Sequence, residues 1–227
     1  LVTSRMYAYQ KQDWRLSGFA EAVLAPFSPG QIRRFLDQWY RLMAEMRGLD
    51  VENAQGRAEL LKQAIFSSDR LYSFAQRPLL LTLMASLHTW RGGSLPEKRE
   101  ELYAEIVDLL LEWWERSKIV QDKDGQIITI QPSLTEFLKI SKNSLQQTLY
   151  RLAFSAHKVQ SDFTGTADIP EQELIIELMR ISRNPDLRPI RLIEFLNNRT
   201  GLLVERGAGV YAFSHRTLQE YLIACYF

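Results

Sequence analysis

Apolar residues recur along most of the chain at the three- and four-residue spacing of amphipathic helices. The clearest case follows Ser28. Here Ser28, Pro29 and Gln31 have the residue types of an N-cap, a first helical position and the third position of a capping box. A helix is therefore predicted from Pro29. Its predicted buried stripe consists of Ile32, Phe35, Leu36, Trp39, Leu42 and Met43.

Four more helices are predicted in the first half of the chain. The first of them has its apolar positions at Leu60, Leu61, Ala64 and Ile65. A short helix follows around 71–75, and Pro78 then opens a strongly apolar helix over 79–90 that the glycine pair 92–93 ends. A last helix, opened by a proline, is predicted over 96–118. Its inward-facing residues are Leu102, Ile106, Leu109, Leu110 and Trp113.

Beyond this region the pattern changes, and both strands and helices are predicted. Turn-forming residues at 121–125 are followed by a short strand at 127–130, which Pro132 ends. Three helices come next, at 142–158, 170–182 and 189–199. Strand-like segments at 202–205 and 210–213 are joined through a glycine-containing turn and predict a β-hairpin, which a closing helix follows.

These elements predict a mainly α-helical fold. A helical bundle domain is followed by a winged-helix-like domain with one β-hairpin, and short strands are expected near the N-terminus at 1–4 and 19–24. The predicted domains are 1–28, 29–131 and 132–227. Because the sequence opens inside an apolar strand and stops on an apolar helix, we expect it to be a piece of a longer protein.

The bulk composition argues against several classes of protein. The 227 residues are 46% hydrophobic and 24% charged, as is usual for a globular domain. No stretch reaches about 18 uncharged apolar residues, so no membrane span is predicted. The formal net charge of +1 is evenly spread, which argues against a domain that grips a nucleic-acid backbone. The single cysteine, Cys225, rules out an internal disulfide and a multi-cysteine metal site.

The segment 211–227 contains the strongest candidate for a functional residue. A short strand runs directly into an amphipathic helix, and His215 stands at the joint between them. A histidine at a helix start lies beside free backbone N–H groups and the positive end of the helix dipole, which suits an anionic ligand such as a phosphate. The alternative is a partly buried histidine that packs the helix onto the hairpin.

Three motifs resemble those of the NACHT module in signalling NTPases of the STAND class. Residues 213–224, Phe-Ser-His-Arg-Thr-Leu-Gln-Glu-Tyr-Leu-Ile-Ala, resemble the winged-helix motif near the end of that module. The opening Leu-Val-Thr-Ser-Arg at 1–5 resembles the sensor-1 strand, and Arg-Pro-Leu-Leu-Leu at 77–81 resembles the proline motif of the helical domain. The chain departs from the family pattern at Met6, where proline is usual, and at Leu218, where an aromatic residue is usual.

The resemblance implies that this chain contributes contacts to one side of a nucleotide site. Arg5 would be the sensor arginine that reads the terminal phosphate, and Pro78 would pack by the adenine or ribose. His215 would contact the bound diphosphate and keep the module closed. His88 and His157 match no motif and are expected to be structural or exposed.

The chain lacks the motifs for phosphate chemistry. None of its eleven glycines is followed by the lysine and serine or threonine of a phosphate-binding loop, and no predicted strand ends in paired acids for magnesium. ADP or ATP with magnesium is therefore expected in the full-length protein and is not expected to bind this chain tightly. No catalytic residue and no metal site are predicted. The chain alone is not expected to be an enzyme, whereas the full-length protein resembles a P-loop NTPase.

By resemblance, the chain is a regulatory fragment of a NACHT/STAND signalling ATPase switch. Such a fragment closes over bound ADP or ATP and controls oligomerisation. The implied partners are the P-loop nucleotide-binding core of the same protein, further copies of the full-length protein, and unidentified effector and sensor regions. Neither a membrane nor a nucleic acid is expected as a partner. The implied setting is cytoplasmic signal transduction of the kind found in innate immune defence.

A winged-helix DNA-binding transcriptional regulator is the alternative function. The hairpin at 202–213 would be the wing, and the helix at 189–199 would be the recognition helix, since Arg188, Arg191 and Arg199 lie there. The near-neutral charge and the apolar closing helix argue against it. A helical interaction scaffold without a nucleotide site is a third alternative.

Overall fold

The computed structural model describes residues 2, 9, 15–47, 50–115, 118–121, 127–160, 165–197 and 201–227. Within these residues it contains ten helices and five short strands, so the predicted mainly α-helical fold is confirmed. No helix in the described part of the chain is both long and apolar enough to cross a membrane. The described chain divides into two compact units. One is residues 18–109, and the other is residues 110–227 with the described residues before Gly18.

The unit formed by residues 18–109 is a helical bundle. Its elements are α1 (Pro29–Arg47), α2 (Val51–Phe66), α3 (Asp69–Ala75), α4 (Pro78–Trp90) and the first part of α5 (Arg99–Glu115). The helices α1 and α2 pack along each other, and α4 contacts both. The most deeply buried residues of α4, each at most 1% exposed, are Leu80, Leu81, Leu83, Met84, Ala85 and Leu87. The core of this unit therefore surrounds α4.

The start of α1 is the predicted capping box. Ser28 N donates to Gln31 Oε1 over 2.8 Å, and Gln31 N donates to Ser28 Oγ over 3.4 Å. The buried residues of α1 follow at four-residue spacing and are Ile32, Leu36, Tyr40 and Ala44. The prediction that Leu42 faces the core is wrong, since Leu42 is 49% exposed. Two residues beyond Tyr40, it lies about 200° around the helix, on the opposite face.

Local sequence signals predict the end of α4 correctly but the start of α5 incorrectly. Gly92 and Gly93 end α4 as predicted, with φ angles of 78° and 114° in the left-handed region. The sequence predicts that α5 begins at Pro96, but the helix begins at Arg99. Its first backbone hydrogen bond runs from Leu102 N to Lys98 O over 3.1 Å, which leaves Pro96 in the preceding loop.

The second unit contains a β-hairpin directly after α5. Strand β1 (Lys118–Gln121) pairs antiparallel with strand β2 (Ile127–Gln131). The predicted strand at 127–130 is thus confirmed. The prediction that the preceding helix reaches Lys118 is wrong, because that residue begins β1 and pairs with Gln131. The domain boundary after residue 131 stays a prediction.

The rest of this unit is a winged helix. Its elements are α6 (Leu134–Leu138), α7 (Lys142–Lys158), β3 (Ile169–Pro170), α8 (Glu171–Ile181), α9 (Pro189–Asn197), β4 (Leu203–Gly207), β5 (Val210–Phe213) and α10 (Arg216–Ala224). Strand β5 is the middle strand of a three-stranded antiparallel sheet with the order β3-β5-β4. The predicted helices and hairpin are confirmed within the described residues, whereas positions 198–199 of the helix predicted over 189–199 lie outside them. The helix predicted over 170–182 is one residue shorter at each end, because Pro170 ends β3 and is the N-cap residue of α8, and Ser182 is its C-cap residue.

The predicted strand at 19–24 is not formed. This segment has no regular secondary structure, and its three largest apolar side chains are 56%, 76% and 98% exposed. A β-strand is held by hydrogen bonds to a neighbouring strand, and no strand in the described residues pairs with this segment. The predicted strand at 1–4 lies, apart from Val2, outside the described residues.

The contrast between two leucines of α1 tests the placement of its buried face. Leu36 is fully buried and Leu42 is 49% exposed. We expect Leu36→Ala to lower the free energy of unfolding by about 2–5 kcal/mol, because it removes apolar contacts and leaves a cavity. Leu42→Ala should change it by less than about 0.5 kcal/mol. Urea denaturation of both variants measures the difference, and equal effects would contradict the assigned face.

Candidate functional site

The joint between β5 and α10 determines where His215 lies. After Phe213, the last residue of β5, Ser214 N donates to Leu202 O over 2.8 Å. This bond keeps the chain attached to the edge of the hairpin. The backbone of His215 is still extended, with φ −149° and ψ 142°, and α10 begins at Arg216. The prediction that His215 stands at a helix start is therefore confirmed.

His215 is the N-cap residue of α10. Its ring nitrogen Nδ1 accepts a hydrogen bond from Thr217 N over 3.2 Å and lies 2.7 Å from Thr217 Oγ1. Its backbone oxygen accepts from Leu218 N and Gln219 N, both over 3.1 Å. The residue thus satisfies several of the N–H groups that a helix start leaves without an intrahelical partner.

The half-buried ring of His215 is compatible with both roles considered in the sequence analysis, a structural role and contact with an anion. Capping α10 is a structural role, and it agrees in part with the alternative of a histidine that holds the helix against the hairpin. The same position also lies at the positive end of the α10 dipole, where an anion is favoured. The contact with a diphosphate stays a prediction.

Pro78 is the first residue of α4, and it is exposed. Arg77 before it has the extended backbone of an N-cap residue, with φ −106° and ψ 117°. The carbonyl of Pro78 accepts a hydrogen bond from Thr82 Oγ1 over 2.9 Å. Its helix-starting role is therefore confirmed, and its exposed ring leaves the predicted contact with adenine or ribose sterically open.

The third candidate, Arg5, lies outside the described residues. Pro78 belongs to the unit 18–109, whereas His215 belongs to the second unit. Each of these two residues thus has a defined local setting. The nucleotide contacts of all three stay predictions that rest on the motifs.

His88, expected to be structural or exposed, is a core histidine. It is 2% exposed, and its Nδ1 lies 2.5 Å from the hydroxyl of Tyr40 on α1. Burial, together with the positive charge of Arg57, lowers the pKa of His88 from 6.5 to about 4, while a backbone hydrogen bond with Gly93 opposes that shift. His88 is therefore neutral at physiological pH. His157, in the last turn of α7, is half-buried.

The basic residues that the DNA-binding alternative requires differ in how far they are exposed. Arg188 and Arg191 are exposed at the start of α9, and Arg199 lies outside the described residues. The side chain of Arg206, in the wing strand β4, is 16% exposed. Its Nη1 donates to Thr166 O over 2.7 Å and to the carboxylate of Asp168 over 3.0 Å. Arg206 therefore holds the chain before β3 and is not presented to a nucleic-acid backbone.

Sequence reasoning missed two polar residues of α10 that shape the site. Gln219 is 2% exposed, and its Oε1 accepts from Ala167 N over 2.9 Å. Thr217 contacts Nδ1 of His215 through both its backbone N–H and its hydroxyl. The only sequence signal for Gln219 is that it is a polar residue among the apolar positions of α10. The sequence contains no comparable signal for the contact of Thr217.

An open groove lies away from these residues, between α1 and α2. It has a volume of about 530 Å³, and three small residues, Ala44, Ala54 and Ala58, contribute to its lining. None of the candidate site residues lines it. No group of three or more His, Cys, Asp or Glu side chains in the described part of the chain is arranged to hold a metal ion.

Comparison with known protein families gives one match. Residues 99–227, more than half of the chain, match the model of a winged helix-turn-helix domain C-terminal to NACHT. No curated protein and no solved structure matches the chain. The matched region contains all of α5, the winged helix, and His215 at the start of α10.

The lowered pKa of His88 gives a pH dependence with a defined sign. Between about pH 6.5 and pH 4 the unfolded chain binds a proton that the folded chain does not. The free energy of unfolding should therefore fall as the pH is lowered through this window, by at most about 1.4 kcal/mol per pH unit. Urea denaturation across the window measures the slope. His88→Gln should reduce the slope, and an unchanged slope in this variant would refute the assignment.

The capping role of His215 can be separated from its other chemistry by two substitutions. His215→Ala removes the acceptor for Thr217 N and should lower the free energy of unfolding by about 0.5–2 kcal/mol. Asparagine is a strong N-cap residue, so His215→Asn should cost less than about 0.5 kcal/mol. Thermal or urea denaturation of this chain gives both values. Equal losses in the two variants would show that packing of the ring, and not the cap, stabilises the joint.

Proposed function

The chain belongs to the family of winged helix-turn-helix domains C-terminal to NACHT, and on this basis we propose that it is the regulatory part of a NACHT-type signalling ATPase. In this proposal it closes over ADP or ATP bound to the nucleotide-binding core and controls oligomerisation of the whole protein. The closed ADP form is silent, and exchange for ATP releases the winged helix.

The observation that carries this proposal is the position of His215. Its ring is half-buried at the first turn of α10, where helix N–H groups and the helix dipole favour an anion. Residues 213–224 around it also have the motif that the resemblance assigns to the diphosphate contact. A diphosphate held by the core would gain a charge-assisted hydrogen bond when the winged helix closes over it.

The proposed switch follows from differential affinity. A group that contacts the nucleotide only in the closed state biases the equilibrium between closed and open forms by the free energy of that contact. A charge-assisted hydrogen bond contributes roughly 1–3 kcal/mol, which corresponds to about a tenfold to hundredfold shift. His215 would supply this contact, and Pro78 and Arg5 would contact the nucleotide from the helical domain and the sensor strand.

The proposed partner is the NACHT nucleotide-binding core. This chain has no phosphate-binding loop, so magnesium with ADP or ATP would be held by that core, and hydrolysis would take place there. Segment 19–24 fits the same partner. It is exposed and, apart from Glu21, apolar, as is typical of a strand that completes a buried sheet supplied by another domain.

The DNA-binding alternative is less well supported by the charges of the winged helix. The wing residue Arg206 is engaged with Asp168, and the net charge of the chain is +1. Sequence-independent DNA binding depends on several cations that face the phosphates. A salt-dependent mobility shift on duplex DNA by this chain would favour the alternative over the nucleotide switch.

The test of the proposed function uses the protein that contains both this chain and its NACHT core. We expect His215→Ala and His215→Asn each to speed the release of ADP by about tenfold to hundredfold and to raise basal oligomerisation. Asparagine preserves the cap but ends near the position of Nδ1, so it cannot reach as far as Nε2. Release of a fluorescent ADP analogue and the oligomeric state in solution are the measurements.

His157→Asn is the matched control for this experiment, because it replaces a histidine outside the proposed contact. The isolated chain gives the baseline and should bind ADP weakly, since it has no phosphate-binding loop. Normal ADP release in both His215 variants would show that the residue is a capping histidine alone. Micromolar binding of ADP by the isolated chain would contradict the view that its site is incomplete.

A further inference from the structure

Thr217 brings two hydrogen-bond donors to one ring nitrogen of His215. Thr217 N lies 3.2 Å from Nδ1, and Thr217 Oγ1 lies 2.7 Å from it. A backbone N–H can only donate, so Nδ1 accepts here and carries no proton. The hydroxyl proton of Thr217 must then also point toward Nδ1, because an unprotonated ring nitrogen can only accept.

These contacts determine the tautomer of the neutral ring. A neutral imidazole carries one proton, and with Nδ1 as an acceptor that proton lies on Nε2. Rotating the ring by half a turn would place a carbon atom against Thr217, and both donors would lose their acceptor. The hydrogen bonds of Thr217 therefore determine the orientation of the ring together with its tautomer.

We propose that Thr217 is a positioning residue that holds His215 in the Nε2–H tautomer and thereby makes Nε2 a donor to a phosphate oxygen. The last step rests on the proposed function, whereas the tautomer follows from the two contacts with Thr217. The oxygens of an ionised phosphate accept hydrogen bonds, so they are matched by an N–H. The opposite tautomer would present a lone pair to the anion and repel it.

The side chain at position 217 can be varied without removing the backbone donor. Thr217→Val keeps the branched shape and the N–H but lacks the hydroxyl. Thr217→Ser keeps both donors and lacks one methyl group. Comparing the two variants therefore separates the hydroxyl from the packing of the side chain and from the helix cap.

The first measurement is the tautomer in this chain. It has three histidines, and labelling their ring nitrogens with ¹⁵N allows long-range ¹H–¹⁵N spectra to distinguish protonated from unprotonated nitrogens. The signals of His215 are assigned from their loss in His215→Asn. We expect an unprotonated Nδ1 in the wild type and in Thr217→Ser, and a shift toward a mixture of tautomers in Thr217→Val. A protonated Nδ1 in the neutral wild-type ring would overturn the proposal.

The second measurement is ADP release from the protein that contains the NACHT core. Thr217→Val should speed release by roughly threefold to tenfold, the effect of one net hydrogen bond, and Thr217→Ser should release ADP like the wild type. If His215→Asn speeds release and Thr217→Val does not, the positioning role is overturned and the proposed function stands. If neither variant changes release while the ¹⁵N spectra show the expected tautomers, the phosphate step fails together with the proposed function, and the tautomer assignment alone remains.

Discussion

The first turn of α10 has backbone N–H groups that have no acceptor within the helix. The position of α10 in the winged helix depends on which groups accept hydrogen bonds from them. Only two residues separate β5 from α10. One of them, Ser214, is bonded back to the hairpin, so His215 must supply the cap. Its Nδ1 and its backbone oxygen accept from three successive N–H groups, those of Thr217, Leu218 and Gln219. The direction in which α10 leaves the sheet is therefore tied to the ring of one histidine.

The choice of histidine for this cap is informative, because smaller residues would cap as well. Serine, threonine, aspartate and asparagine are the preferred N-cap residues, and each would satisfy Thr217 N. Histidine differs by having a second nitrogen on the far side of its ring. A ring that is held by the helix it caps cannot adjust to a ligand independently of that helix. Any anion bound at Nε2 would thus stabilise one position of α10, which is the property that a switch requires.

Elements whose ends depend on near neighbours in the sequence could be predicted. The capping box at Ser28, the glycines that end α4 and the hairpin of β4 and β5 are examples. Two predictions failed because a partner strand decides the outcome. Strand β1 forms because β2 pairs with it, and segment 19–24 stays irregular without a described neighbour. Likewise, the motif located His215 at a helix start, but no sequence pattern specifies the rotamer that turns Nδ1 toward Thr217.

A second polar contact fixes α10 at a point away from its cap. Gln219, four residues after His215 and thus about 6 Å along the helix axis, accepts a hydrogen bond from Ala167 N. Arg206 from β4 holds the neighbouring Thr166 and Asp168. The chain entering β3 is therefore bonded to α10 on one side and to the wing on the other. Because α10 is attached at two points, a ligand that moved its first turn would have to displace the sheet as well, so a contact at His215 would act on the winged helix as a unit.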